Sequence, residues 1–233
     1  MILFWRRTDV LGLERLALTV SLDEVVAEST IVCLEDGGFR LDHRWRLSPD
    51  WRARSLEVER WGAAERRRLV VERDASGDGD GSGDGSDGDG VPNRWLVDGE
   101  PRPDLDGAED PDLSVTPFCN TFPIRRTPTA PGDSLTLDTC YIDAAAMTVQ
   151  RSRQRYERVG SNRVRYVDLG VASGFEADLD VDADGLVLGY EHLFERVQPT
   201  SPSSDESRQA VPSGEAARYP EPRPNERTSH DDQ

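Results

Sequence analysis

Period two dominates the chain. In "FRLDHRWRL" (39–47), Phe39, Leu41, His43, Trp45 and Leu47 fall on one side and Arg40, Asp42, Arg44 and Arg46 on the other. That is the pattern of a half-buried strand. "STIVCL" precedes it, and the intervening "EDGG" (35–38) supplies a hairpin turn whose glycines tolerate positive φ. Further on, "FEADLDV" sets Phe175, Ala177, Leu179 and Val181 against Glu176, Asp178 and Asp180. "DADG" turns the chain, and "LVLGYEHLF" returns with Leu186, Leu188, Tyr190, His192 and Phe194 in phase. "SLTLDTCYID" (134–143), "TVQRSRQRYERV" (148–159) and "RVRYVDL" predict three more strands, whereas "DVLGLERLALTVS" fits either period.

Sequential strands without a βαβ rhythm predict a mainly β fold with little helix. The expected form is a single antiparallel meander wrapped into a closed or half-open barrel. One domain over 1–197 is expected, interrupted by "DASGDGDGSGDGSDGDG" (74–90), which has almost no apolar side chain to bury and reads as a disordered insert. The Pro-, Ser- and charge-rich tail 198–233 reads the same way.

Charge narrows the setting. The formal net charge is −17, and all 28 basic side chains are arginine. Such acidity argues against nucleic acid, which needs a basic face, and against anionic membrane surfaces. At molar salt the Debye length shrinks to about 3 Å, so self-repulsion fades and a halophilic cytoplasm suits the chain. Arginine keeps a weakly hydrated cation that forks onto carboxylates. Cys33, Cys119 and Cys140 are odd in number and widely spaced, which points to a reduced interior, with no zinc site and no disulfide framework. "MILFWRR" lacks the layout of a secretory signal, and no run reaches the roughly 20 apolar residues of a membrane helix. A soluble, cytoplasmic protein without stable membrane insertion is expected.

Few motifs carry chemistry. "DVDADGLVLGYE" (180–191) satisfies the calcium-loop pattern D-x-D-x-D-G-x5-E. Its flanks alternate as strands where a calcium loop needs helices, so a hairpin turn is expected, with no metal. His43 and His192 lie on apolar strand faces and read as core residues. No P-loop, nucleophile elbow or dinucleotide fingerprint occurs, so neither a cofactor nor a catalytic residue is assigned.

"TPFCNTFPIRR" (116–126) has neither period. Pro117 and Pro123 stiffen it, Thr116, Asn120 and Thr121 can satisfy local backbone groups, and Phe118, Phe122 and Ile124 can plug a barrel end. If extended, it would aim one of Arg125 and Arg126 inward. That arginine either pairs with Asp104, Asp106, Asp110 or Asp112, which is the commoner fate of a buried charge, or holds an anionic headgroup at a cavity mouth.

"LDGAEDPDLSVTPFCNTFPIRR" resembles the signature block of the family described as putative glycolipid-binding proteins of bacteria and archaea. Leu105, Asp106, Gly107, Asp110, Asp112, Leu113, Thr116, Pro117, Asn120, Thr121, Pro123, Ile124, Arg125 and Arg126 match it. Ala108, Cys119 and Phe122 stand where the block typically has Cys, Thr and Leu. "QRYERV" and "DGLVLGYEHLFERV" resemble the family's last strands. The resemblance implies one β-rich domain like the barrel of bacterial lipoprotein carriers. The expected function is a module binding a glycolipid or other amphipathic molecule, its concave face lined by Phe39, Leu41 and Trp45. The site residues are expected to be Arg125, Arg126, Asn120, Thr121 and Trp45, with Tyr156 and Tyr190 as polar handles. The alternatives are a hydrolase-like enzyme working near Asp106, Asn120 and Arg125, and a filled barrel with no ligand.

Overall fold

The computed structural model describes residues 1–63, 65–74 and 93–199. Met1–Pro199 forms one compact unit. Most of the expected insert (75–90) and of the expected tail (200–233) lies outside the described residues.

Alternation builds strands where it was read, "LVLGYEHLF" excepted, and "DVLGLERLALTVS" proves to be a strand as well. The first run is β1 (Ile2–Arg7), β2 (Gly12–Val20), β3 (Val25–Cys33), β4 (Phe39–Leu47), β5 (Ala53–Trp61), β6 (Arg66–Arg73), β7 (Trp95–Val97) and β8 (Glu100–Pro101). The second is β9 (Pro111–Leu113), β10 (Ser134–Asp143), β11 (Thr148–Gly160), β12 (Arg163–Asp168), β13 (Glu176–Val181), β14 (Val187–Tyr190) and β15 (Phe194–Arg196). All fifteen share one sheet that runs from β8 back to β1, then from β15 back to β9. The two meanders therefore meet at the β1–β15 seam, where Trp5 pairs Arg196 and Arg6 pairs Glu195.

The sheet curls but does not close by strand pairing, so the barrel is half-open. Residues 102–110 stitch its two free edges together. Gly107 N–H donates to the Asn93 carbonyl at 2.7 Å, and Glu109 N–H donates to the Asp138 carbonyl at 2.8 Å. The Trp95 indole donates to the Ala108 carbonyl at 2.9 Å. One pairing departs from the expected antiparallel scheme: β9 runs parallel to β10, with Asp112 beside Tyr141. The connection that follows β9 makes this possible, since the 20 residues from Ser114 to Asp133 separate the two strands and carry the chain back.

"LVLGYEHLF" is a correction. It is two short strands rather than one, because a tight turn at Glu191–Leu193 puts His192 at φ 67°. Leu188 and His192 consequently face solvent, and His192 is not a core residue. The "DADG" turn forms as expected, with Gly185 at φ +76°. A side chain there would be strained, and its Cβ would press to 3.1 Å of Arg125 Cγ.

The inner face of β2–β6 is a dry core. Leu16, Ile31, Leu41, Trp45 and Leu56 are buried at 0–1% exposure. Here the expectation that Phe39, Leu41 and Trp45 line a ligand cavity is overturned, because aromatic side chains from 116–126 already occupy that space. Within this core lies one polar cluster. Ser29 and Thr116 hydroxyls donate to Glu14 Oε1 at 2.7 and 3.0 Å, and His43 Nε2 lies 3.1 Å from the same oxygen.

Candidate functional site

The segment 116–126 is a plug between the two halves. It is neither irregular nor extended: Phe118–Asn120 makes a 3-10 turn that runs into α1 (Thr121–Arg126). Prolines that would break a longer helix are harmless here. Pro117 precedes the turn, and Pro123 lies within the first turn of α1, where backbone N–H groups need no helical acceptor. Thr127 ends the helix by donating both its N–H and its hydroxyl to the Pro123 carbonyl at 2.8 Å.

One side of the plug fills the β2–β6 half. Phe122 packs on Trp45 at 5.2 Å between ring centroids and on Phe118 at 5.3 Å, and Phe118 meets Trp51 at 6.2 Å. Trp45 is thus a core residue. The other side presents Asn120 to the β9–β15 half, where a cavity of about 140 Å³ opens, and Thr116 borders that cavity while its hydroxyl donates to Glu14 of β2. Asp112, Asn120, Tyr141, Tyr166, Asp168 and Tyr190 form its polar lining, and Phe175 and Phe194 are among its apolar walls.

Strand register assembles this set. Asp112 and Tyr141 are neighbours across β9–β10. Gln154 and Tyr156 on β11 pair Asp168 and Tyr166 on β12, and Tyr190 pairs Phe194 across β14–β15. The polar groups form a chain. The Cys119 thiol donates to Asp112 Oδ1 at 3.0 Å, and the Gln154 amide donates to Asp112 Oδ2. The Tyr156 hydroxyl lies 2.9 Å from Asn120 Oδ1 and 3.2 Å from Gln154 Oε1. Tyr166 donates to Asp168 Oδ2 at 3.1 Å, while Asp168 Oδ1 accepts the Gly170 and Ala172 N–H groups. The Tyr190 hydroxyl, on a side chain only 7% exposed, has no hydrogen-bond partner among the described residues.

Burial sets the electrostatics. It pushes the Asp112 carboxyl pKa up against the pull of its two neutral donors, and the like charge of Asp168 pushes it further the same way. Burial likewise raises the Cys119 thiol, with Asp112 adding to the effect, and the phenols of Tyr156, Tyr166 and Tyr190. The thiol and the three phenols are therefore held in their neutral forms near neutrality.

The expected site residues divide. Asn120 and Tyr190 line the cavity, and Tyr156 is buried behind it, hydrogen-bonded to Asn120. Thr121 is buried with its hydroxyl unpartnered. Arg126 forms an ion pair with Asp110, one of the four acids named for it. Arg125 stays exposed, its guanidinium 4.4 Å from the Trp51 ring centroid and bonded to the Asp184 carbonyl. Asp106, Asn120 and Arg125 have separate neighbours, since the Asp106 carbonyl accepts from Arg151. The calcium-like turn spends its central carboxylate internally: Asp182 accepts the Asp184 and Leu186 N–H groups and Arg196.

Sequence reasoning missed Gln154, Tyr166 and Asp168 and took Asp112 only as an arginine partner. The signal was present, because alternation through "RVRYVDL" puts Tyr166 and Asp168 on one face with Val164.

The cavity wall is drawn from the signature block and the last strands together. The chain matches the family described as "Putative glycolipid-binding" over residues 2–84 and 85–196. It belongs to that family. A crystal structure of a DUF1089 family protein from Pseudomonas aeruginosa is 33% identical, with a TM-score of 0.65, covering 80% of this chain and 92% of that one. No curated protein matches the chain significantly. Family membership supports a ligand-binding role, and the departures from the family block do not open the plug. The Ala108 side chain is buried while its carbonyl caps Trp95, Cys119 holds Asp112 through its thiol, and Phe122 fills the dry half.

Proposed function

We propose that the protein is a binding module that holds the polar head of an amphipathic molecule, a glycolipid on the family's description, in the cavity between the plug and β9–β15. One observation carries this reading: the cavity is the place where residues of the family block, Asp112, Thr116 and Asn120, meet the tyrosines of the last strands. Its size selects the head alone. About 140 Å³ is well under the roughly 300 Å³ at which pockets begin to enclose drug-sized molecules. Lipid chains would therefore lie outside. The three cysteines are free and buried, which suits a reduced cytoplasm.

Native mass spectrometry of the full chain, released gently from high salt, tests the reading. A co-purifying amphiphile that is lost in Asn120→Ala supports it. A clean apo mass for the wild type, with no binding on adding back a lipid extract, overturns it.

A further inference from the structure

Resting on that reading, we propose that the bound head carries a positive charge: the cavity is a cage for a compact organic ammonium. Its apolar wall is a ring of tilted aromatic side chains. Tyr166 and Phe175 lie 6.1 Å apart between centroids, Phe175 and Tyr190 6.4 Å, Tyr166 and Tyr190 6.0 Å, and Tyr190 and Phe194 6.1 Å. Interplanar angles of 42–59° keep these rings from stacking on one another. These are ordinary contact distances for tilted aromatic pairs, and all four side chains border the cavity, so aromatic surface is available there to a cation, which is how proteins recognise quaternary ammonium groups.

The charges agree. Asp112 and Asp168 both line the space, and no arginine does. The hydrogen bonds to both carboxylates come from neutral donors: a thiol and an amide on Asp112, a phenol and two backbone N–H groups on Asp168. Arg7 does lie over Phe194 at 5.9 Å, but Asp9 and Glu35 hold its guanidinium. Asp110, two residues before Asp112, is the contrast: it has a cation, Arg126. An anionic head would meet two carboxylates with no counter-charge. A neutral sugar would leave the pair uncompensated. An ammonium supplies the missing charge, and the unpartnered Tyr190 hydroxyl can accept a hydrogen bond from an N–H or a neighbouring hydroxyl.

The charge could come from an amino sugar or from a choline-type head. Isothermal titration of the full chain in high KCl with glucosamine, choline and glucose separates these sources. Either cation should bind at least ~10-fold tighter than glucose, because a desolvated cation–π contact is of that order. Whichever of the two binds names the source. Asp112→Asn should cut that preference to within ~3-fold. Should Asp112→Asn not fold, Phe175→Leu, at the partly exposed edge of the ring, should weaken cation binding and leave glucose unchanged. Glucose binding as tightly as glucosamine, with choline silent, overturns the cage and leaves the headgroup reading standing. Silence from all three probes, with a clean apo mass, overturns both.

Discussion

The two halves of the sheet follow one rule and reach opposite interiors. In β2–β6 the inward positions hold Leu16, Ile31, Leu41, Trp45 and Leu56, and Phe118 and Phe122 complete a dry core. In β9–β15 the equivalent positions hold Gln154, Tyr156, Tyr166, Asp168 and Tyr190, and the same plug offers Asn120 where it had offered rings. Alternation decides which residues face inward; the chemistry of those residues decides whether the inside is filled. One eleven-residue segment serves both halves: Phe118 and Phe122 fill one, Asn120 and Ile124 go to the other, and Thr116 bonds Glu14 of the first while bordering the cavity of the second.

The strongest way to break this contrast is to exchange the effects of mutation between the halves. Phe122→Ala should cost about 4 kcal/mol in a denaturant melt, since it removes a fully buried ring from a close-packed trio. Tyr190→Phe should leave stability nearly unchanged, because the lost hydroxyl has no protein partner, and should instead weaken ligand binding. A large stability loss in Tyr190→Phe alongside a small one in Phe122→Ala would mean that the dry and wet interiors have been assigned the wrong way round.

Asp110 and Asp112 sharpen the comparison, as two carboxylates two residues apart with different fates. Asp110 is 2% exposed, holds Arg126, and accepts the Ala53 N–H at 2.9 Å. Asp110→Ala would leave a largely buried guanidinium without its counter-charge and should cost about 3 kcal/mol. If Asp110→Ala melts like the wild type, Arg126 is served by solvent and the plug is not anchored by this pair.

Asp112→Asn should do the reverse as pH rises. The folded-state pKa of Asp112 lies above the usual carboxylate value of 3.8. Between that value and the folded pKa the native state binds more protons than the unfolded chain, so this group's contribution is full at low pH and is lost as pH rises through the folded pKa. The variant lacks that loss. Its stability relative to wild type should therefore climb from about pH 4 upward, read from melts across pH in matched salt. A flat difference would show that Asp112 ionises as freely as a surface carboxylate.

Strands and hairpins were legible because a half-buried strand writes its faces in period two, and "FRLDHRWRL" has no exception. The plug was not. Six residues of helix, Thr121–Arg126, are too few to show a period, and Pro117 before them and Pro123 within them suggested an irregular corner. The site was legible only where the family block names residues: Asn120 follows from it, whereas Tyr166 and Asp168 enter through pairing with β11, a non-local fact. Trp45 was misplaced for the same reason. An inward aromatic lines a cavity or fills a core according to what lies opposite it, and Phe122 is 77 positions away in the chain.

The smallest expected effect lies at the seam where the halves join. Arg6 and Glu195 face each other across β1–β15 at 2.5 Å, but both side chains are more than half exposed. Glu195→Gln should therefore change stability by less than about 1 kcal/mol at low salt, and by nothing measurable at molar salt, where screening reaches within about 3 Å. The seam is held instead by what it buries. Trp5 is 1% exposed, its indole donates to the Val187 carbonyl at 2.9 Å, and Arg196 lies over its ring at 5.4 Å. Trp5 reaches from the dry half to a strand of the wet one, so its hydrogen bond and packing hold the two interiors in one sheet. A loss in Glu195→Gln that rivals Phe122→Ala and persists in high salt would move the joint from the buried indole to the surface ion pair. The halves would then be coupled by charge across their rim rather than by a shared core.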